Sequence, residues 1–125
     1  MNRWEYANFE VLKGKTLREV FYSKKEEKIS FIVDDQEAYH MSHFQDCCEA
    51  VWVEDICGDL NDLVGTPILF AEKSSSEDTS VEWTFYRIGT IKGTVVIRWC
   101  GELDTCYSIE VSFYRTFGED TPPKT

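Results

Sequence analysis

Apolar and polar positions alternate with a period of two along most of the chain, the spacing that turns one face of a β-strand toward a core. Leu17, Glu19 and Phe21 alternate with Arg18, Val20 and Tyr22, then a charged turn, Lys24-Lys25-Glu26-Glu27, leads into Ile29-Ser30-Phe31-Ile32-Val33. That order predicts a hairpin closed by a polar loop. Asp34-Asp35-Gln36 makes a second turn, and a third strand is expected from Glu37 to His43. From Cys48 to Glu54 two valines and Trp52 favour a strand over a helix. The pattern breaks at 58–65, where Leu60, Leu63 and Val64 recur at i, i+3 and i+4 between Asp59, a fair N-cap, and Gly65, a suitable stop before Pro67. One short helix of about two turns is expected near 59–64. Ile68 to Ala71 reads as a strand, and Ser74 to Ser80 as a polar loop and the best internal site for disorder. Trp83–Ile88, Thr94–Trp99 and Tyr107–Tyr114 follow with tight connections, which predicts a three-stranded antiparallel meander with Val111 and Phe113 on its buried side. The expected fold is a β-rich α+β single domain over 1–117, mainly antiparallel sheet with one short helix, ending in a frayed tail over 118–125.

Composition supports a packed core: 42% of the 125 residues are hydrophobic and 14% aromatic, despite a formal net charge of −10. The charge is concentrated. Between Ile29 and Glu72 stand ten carboxylates and no Lys or Arg, whereas the rest of the chain is balanced. Such a stretch lacks the basic footprint that phosphate contacts require, which argues against direct binding of nucleic acid or of an anionic membrane. A basic protein surface or a metal ion is the natural complement. The N-terminal Met1-Asn2-Arg3-Trp4-Glu5-Tyr6 has no apolar run after its Arg, and no segment approaches a membrane span. A cytoplasmic protein is expected.

Five cysteines, an odd number with Cys47 and Cys48 adjacent, do not read as a disulfide framework. Two of them join both histidines within His40-Met41-Ser42-His43-Phe44-Gln45-Asp46-Cys47-Cys48. Imidazole and thiolate are the preferred ligands of tetrahedral zinc, so a structural Zn site built from His43, Cys47 and Cys48, with His40, is expected here. Asp46 could ligate or orient a histidine, and Cys57 or Cys100 could complete the set from elsewhere. On a regular strand His40 and His43 point to opposite faces, so convergence needs irregular backbone. A thiol nucleophile from the same residues fits less well, because acidic surroundings favour thiol over thiolate. The chain is not expected to be an enzyme.

Glu54, Asp55, Asp59 and Asp62 lack the spacing of an EF-hand. With Glu49 they are the expected partner-binding residues, part of a negative surface that steers and docks a cationic protein.

The run from Asp46-Cys47-Cys48-Glu49 through Glu54-Asp55, Gly58-Asp59-Leu60, Asp62-Leu63 and Gly65-Thr66-Pro67-Ile68 resembles a family of small uncharacterised phage and bacterial domains, with the pattern H-x-Q-D-C-C-E-x-V-x-x-E-D-x-x-G-D-L-x-D-L-x-G-x-P-I. Trp83-Thr84-Phe85-Tyr86, Thr90-Ile91-Lys92-Gly93 and Ile97-Arg98-Trp99 are similar as well, so the resemblance covers about 40–115. It implies a phage or mobile-element setting in the cytoplasm of a bacterial host. By size and charge the chain is also similar to anti-CRISPR proteins. The expected function is therefore an inhibitor that binds a basic surface of a nucleic-acid-handling host protein, such as a type II CRISPR effector nuclease, and blocks its access to DNA. Two other readings stand beside it: a metal-stapled phage interaction domain with an unrelated protein partner, and a thiol-dependent enzyme using Cys47 or Cys48 with His43.

Overall fold

A computed structural model describes residues 4–44, 50–77, 81–102 and 110–117. Nine strands form two antiparallel sheets: β1 (Trp4–Tyr6), β2 (Glu19–Ser23), β3 (Lys28–Ile32), β4 (Glu37–Ser42), β5 (Ala50–Cys57), β6 (Phe70–Glu77), β7 (Val81–Thr90), β8 (Gly93–Glu102) and β9 (Ser112–Phe117). The first sheet runs β1-β9-β4-β3-β2 and the second β5-β8-β7-β6. Their inner faces share one core, with Phe31, Tyr39, Met41 and Phe113 from the first sheet against Tyr86, Ile88, Val95, Ile97 and Trp99 from the second. The Trp99 indole N–H donates to Met41 Sδ at 3.3 Å, which gives that buried donor a partner across the sheets.

The hairpin expected at 17–33 is present, with Val20 opposite Phe31 and Ser23 opposite Lys28. The third strand is β4, paired to β3 with Ser30 opposite His40. The segment 50–57 is a strand, as its valines and tryptophan predict, with a bulge between Val53 and Asp55.

Three expectations are corrected. The helix near 59–64 is only a single 3₁₀ turn, Leu60–Leu63. Asp59 does cap it, accepting from Asn61 N at 2.9 Å, but Val64 is already extended and the chain turns through Gly65 at φ 91°. Four residues cannot repay the cost of nucleating an α-helix; the i, i+3, i+4 pattern reported instead which residues meet the core. The polar segment 74–77 is not a loop but the end of β6, with Ser74, Ser75 and Ser76 opposite Phe85, Thr84 and Trp83. The side chains of Ser74, Ser75 and Ser76 are exposed, so nothing apolar marks them, while the long β7 supplies backbone partners that need no side-chain pattern. The last strand also leaves the predicted meander. β9 pairs with β4 and β1 in the first sheet, and the true meander is β6-β7-β8.

Two elements have no counterpart in the sequence reading: the short edge strand β1 and a 3₁₀ turn at Phe9–Leu12, capped by Asn8. The second carries Phe9 into the core, where its ring packs edge-on against Phe31, Tyr86 and Phe113. The frayed tail expected over 118–125 lies outside the described residues.

Candidate functional site

The carboxylate-rich stretch does not form one continuous surface. Asp35 pairs with Arg18 at 2.8 Å, Glu37 with Lys15 at 2.8 Å and Glu72 with Arg87 at 3.0 Å. Each of these bases lies outside the stretch and reaches it through strand pairing or a loop. Besides Asp34 in the β3–β4 turn, what remains among the described residues is an acidic edge on β5 and the turn that follows. β5 is the terminal strand of its sheet, and Glu54, Asp55 and Asp59 are all exposed there. Glu54 sits at the bulge and accepts from the Trp52 indole N–H at 2.8 Å. Asp55 lies 3.8 Å from Arg98, whose guanidinium stacks over Trp83 at 5.1 Å. Asp62 is half-buried and lies over Gly93, where a Cβ would come within 2.7 Å of its Oδ2. Its carbonyl accepts from the Thr90 hydroxyl, which ties the turn to the β7–β8 loop. Glu54, Asp59 and Asp62 have no ion-pair partner among the described residues. Glu49 lies outside them.

The edge is anchored by Glu27, a residue the sequence did not single out. It occupies the left-handed region at φ 48°, in the β2–β3 turn. From there its carboxylate accepts from the Tyr22 hydroxyl and, at 2.9 Å, from the backbone N–H of Val53 on β5. Burial and this carboxylate together push the Tyr22 hydroxyl above its ordinary range.

The two histidines are separated by their environments. His40 is buried, with Nδ1 2.8 Å from Ser30 Oγ and Nε2 3.1 Å from Thr116 Oγ1. Both ring nitrogens are thus engaged within the sheet, and a metal at His40 would have to displace one of these partners. Burial, with a smaller contribution from Lys28, holds its pKa down to about 4. His43 donates from Nδ1 to the carbonyl of Glu110 at 2.8 Å. Cys47 and Cys48 lie outside the described residues, as does Asp46. Among the described residues no group of three His, Cys, Asp or Glu side chains converges on one point. Cys100 is buried and Cys57 exposed. The Cys57 thiol donates to Asp55 at 3.3 Å, and that carboxylate pushes its pKa up, the reverse of what a thiolate nucleophile needs.

Two further features came with the tertiary structure. Trp4, Tyr6, Phe44 and Tyr114 form an aromatic cluster with centroids 5.2–6.4 Å apart, and Trp4, Tyr6 and Phe44 are largely exposed. A cleft of about 480 Å³ opens between the β1–Phe9 connection, the segment entering β9, and β6–β7. Its residues are spread from Tyr6 to Phe113, so no local motif announces it.

A family model described as DUF7448, a domain of unknown function, matches residues 10–113. The chain belongs to this family. The match spans the second strand through the start of the ninth, and so takes in the whole second sheet, three strands of the first and the acidic edge. Neither the curated proteins nor the solved structures compared with the chain give a match. Among the described residues no helix is long and apolar enough to cross a membrane.

Proposed function

We propose that this DUF7448 domain is an inhibitory interaction module that docks its β5 edge onto a basic protein surface. The observation that carries this reading is the exposed pair Glu54 and Asp55 on a terminal strand and Asp59 in the turn after it, with Asp62 beside it, whereas Asp35, Glu37 and Glu72 are paired with Arg18, Lys15 and Arg87. An exposed acidic group of this kind steers a cationic partner and fixes its register. The bulge at Glu54 and the bond from Val53 N–H to Glu27 blunt that edge against strand addition by another chain, so side-chain charge dominates the contact. In its sharpest form the partner is a nucleic-acid-handling host protein, a type II CRISPR effector nuclease, whose DNA-binding surface the domain occupies. This form rests on the resemblance to small phage domains and on the likeness in size and charge to anti-CRISPR proteins.

The test is DNA binding by a purified, guide-loaded type II effector nuclease with the domain in excess. Binding should fall, and should recover with the Glu54→Lys/Asp59→Lys variant. Direct association of the domain with the nuclease, measured without DNA, should also weaken at 1 M salt, where the Debye length shrinks from about 8 Å to about 3 Å. Undiminished DNA binding refutes the nuclease as partner. Inhibition that survives charge reversal refutes the docking edge.

A second reading has its own observation. His43 donates from Nδ1 to the Glu110 carbonyl, the kind of anchoring that metal-ligating histidines use. A structural zinc held by His43 with Cys47 and Cys48 would then staple the β4–β5 connection. Elemental analysis of protein never exposed to chelator tests it: about one equivalent of zinc supports the staple, and less than about 0.2 refutes it, since structural sites bind tightly.

A further inference from the structure

β1 is a terminal strand, and no strand among the described residues pairs with its outer side. The phase of its bonding to β9 is set by the Ala7 N–H, which donates to the Phe113 carbonyl at 3.0 Å. Backbone groups alternate along an antiparallel strand, so Glu5, opposite Arg115, also bonds toward β9. The N–H and C=O of Trp4 and Tyr6 therefore point away from the sheet. An unpaired edge is a template for another strand unless a bulge, a lysine, a proline or a covering segment blunts it. β5 has its bulge and its bond to Glu27, whereas β1, reading Trp-Glu-Tyr, has no such device among the described residues. Beside this edge Trp4, Tyr6 and Phe44 are 46%, 65% and 43% exposed.

We propose that the chain forms a weak twofold dimer by antiparallel pairing of β1 with β1 of a second copy, centred on Trp4. This joins the two five-stranded sheets edge to edge. The edge is self-complementary, which selects a second copy over an unrelated chain. A residue on the twofold axis pairs with itself, and Trp4, whose backbone groups point outward, can exchange both bonds with its own copy. In that register position 3 of one copy stands opposite position 5 of the other, and the sequence has Arg3 and Glu5 there. Each copy thus supplies one base and one acid to two complementary cross-strand pairs. Centring the pair on Glu5 instead sets that carboxylate against its own copy. The rings supply the apolar part of the contact. At about 200 Å² for a whole aromatic side chain, Trp4, Tyr6 and Phe44 leave roughly 300 Å² open per copy. Two copies then bury about half of the ~1,200 Å² at which stable interfaces begin, so the dimer is of micromolar strength. The net charge of −10 does not oppose it at close range. β2 stands at the end of the first sheet opposite β1, and the β2–β3 turn carries Glu27, which holds β5. The acidic edges therefore lie away from the contact, and the dimer does not depend on what they dock to.

The experiment is analytical ultracentrifugation of the full chain from about 1 μM to about 1 mM, where a micromolar dimer passes from monomer to mostly dimer. Arg3→Glu and Glu5→Arg should each weaken the dimer about 2- to 30-fold, the factor expected for two symmetry-related charge pairs. Mixing the two variants in equal amounts should restore association, because each base of one then faces an acid of the other. A change that merely loosened β1 would not be repaired in this way. Hydrogen exchange followed by NMR supplies a measurement that needs no variant. The Trp4 and Tyr6 amides should exchange more slowly as concentration rises, while that of Ile91, exposed in the β7–β8 turn, should not change. The proposal is overturned if the chain is still monomeric at about 1 mM. It is equally overturned if either variant alone dimerises as tightly as the wild type, if the mixture associates no better than its components, or if the Trp4 and Tyr6 amides exchange alike in monomer and dimer.

Discussion

Acid should destabilise this protein through one histidine. His40 is buried between Ser30 and Thr116, and its surroundings hold its pKa at about 4, against about 6.5 for an unconstrained imidazole. The cause is first the loss of water around the cation and second the charge of Lys28. Because the folded value is lowered, the unfolded chain takes up the proton first as pH falls. The contribution is intact above about pH 6.5, declines between 6.5 and 4, and reaches its full loss below about 4. At about 1.4 kcal/mol per pH unit the full loss is about 3.5 kcal/mol, and at pH 4.5 it is already about 2.5 kcal/mol. Carboxylates titrate over part of the same range, so the perturbation is His40→Gln, whose amide can still both donate and accept between two hydroxyls. Urea denaturation of both proteins at pH 7.5 and 4.5 isolates the term, since the carboxylates cancel in the difference. The wild type should lose about 2.5 kcal/mol more than the variant. Equal losses, or an NMR titration that places the His40 ring near 6.5 in the folded protein, would refute the reasoning.

Other outcomes follow from the same structure. Glu27→Gln should cost about 1–3 kcal/mol in urea denaturation, because the charged acceptor shared by Tyr22 and the Val53 N–H is weakened; a neutral effect would mean that the bridge does not hold β5. Gly58→Ala should cost about 3 kcal/mol or more, since at φ +111° its Cβ would meet the Thr94 carbonyl at 2.6 Å. Gly14→Ala, at φ +89° in open space, should cost only about 1 kcal/mol, so similar melting temperatures for the two would contradict the packing described. Tyr86→Phe should leave the protein about as stable as the wild type or more stable by about 1 kcal/mol, because the buried hydroxyl has no partner among the described residues, and a clear loss of stability would contradict this.

Most of the strands were legible because each follows from spacing within a few residues. Val111 and Phe113 are buried where alternation puts them. Leu63 is buried as the i, i+3 pattern requires, although one turn is all that forms. The errors share a cause. Ser74 to Ser76 could not be read as strand because their pairing is carried by backbone groups, and β9 was assigned to the wrong sheet because alternation names a buried face but not a neighbour.

For function the division is sharper. Sequence alone determined that the net charge of −10 belongs to Ile29–Glu72, since that is a matter of counting. Only the tertiary structure decided what the charge is worth, by carrying Lys15, Arg18 and Arg87 onto Glu37, Asp35 and Glu72 and leaving β5 and its turn exposed. It likewise separated His40 from His43, because strand pairing placed Ser30 and Thr116 on the two sides of one imidazole. The cleft at Tyr86 was invisible for the same physical reason. A cavity is the space between elements far apart in the chain, and no local pattern encodes the gap they leave when they pack.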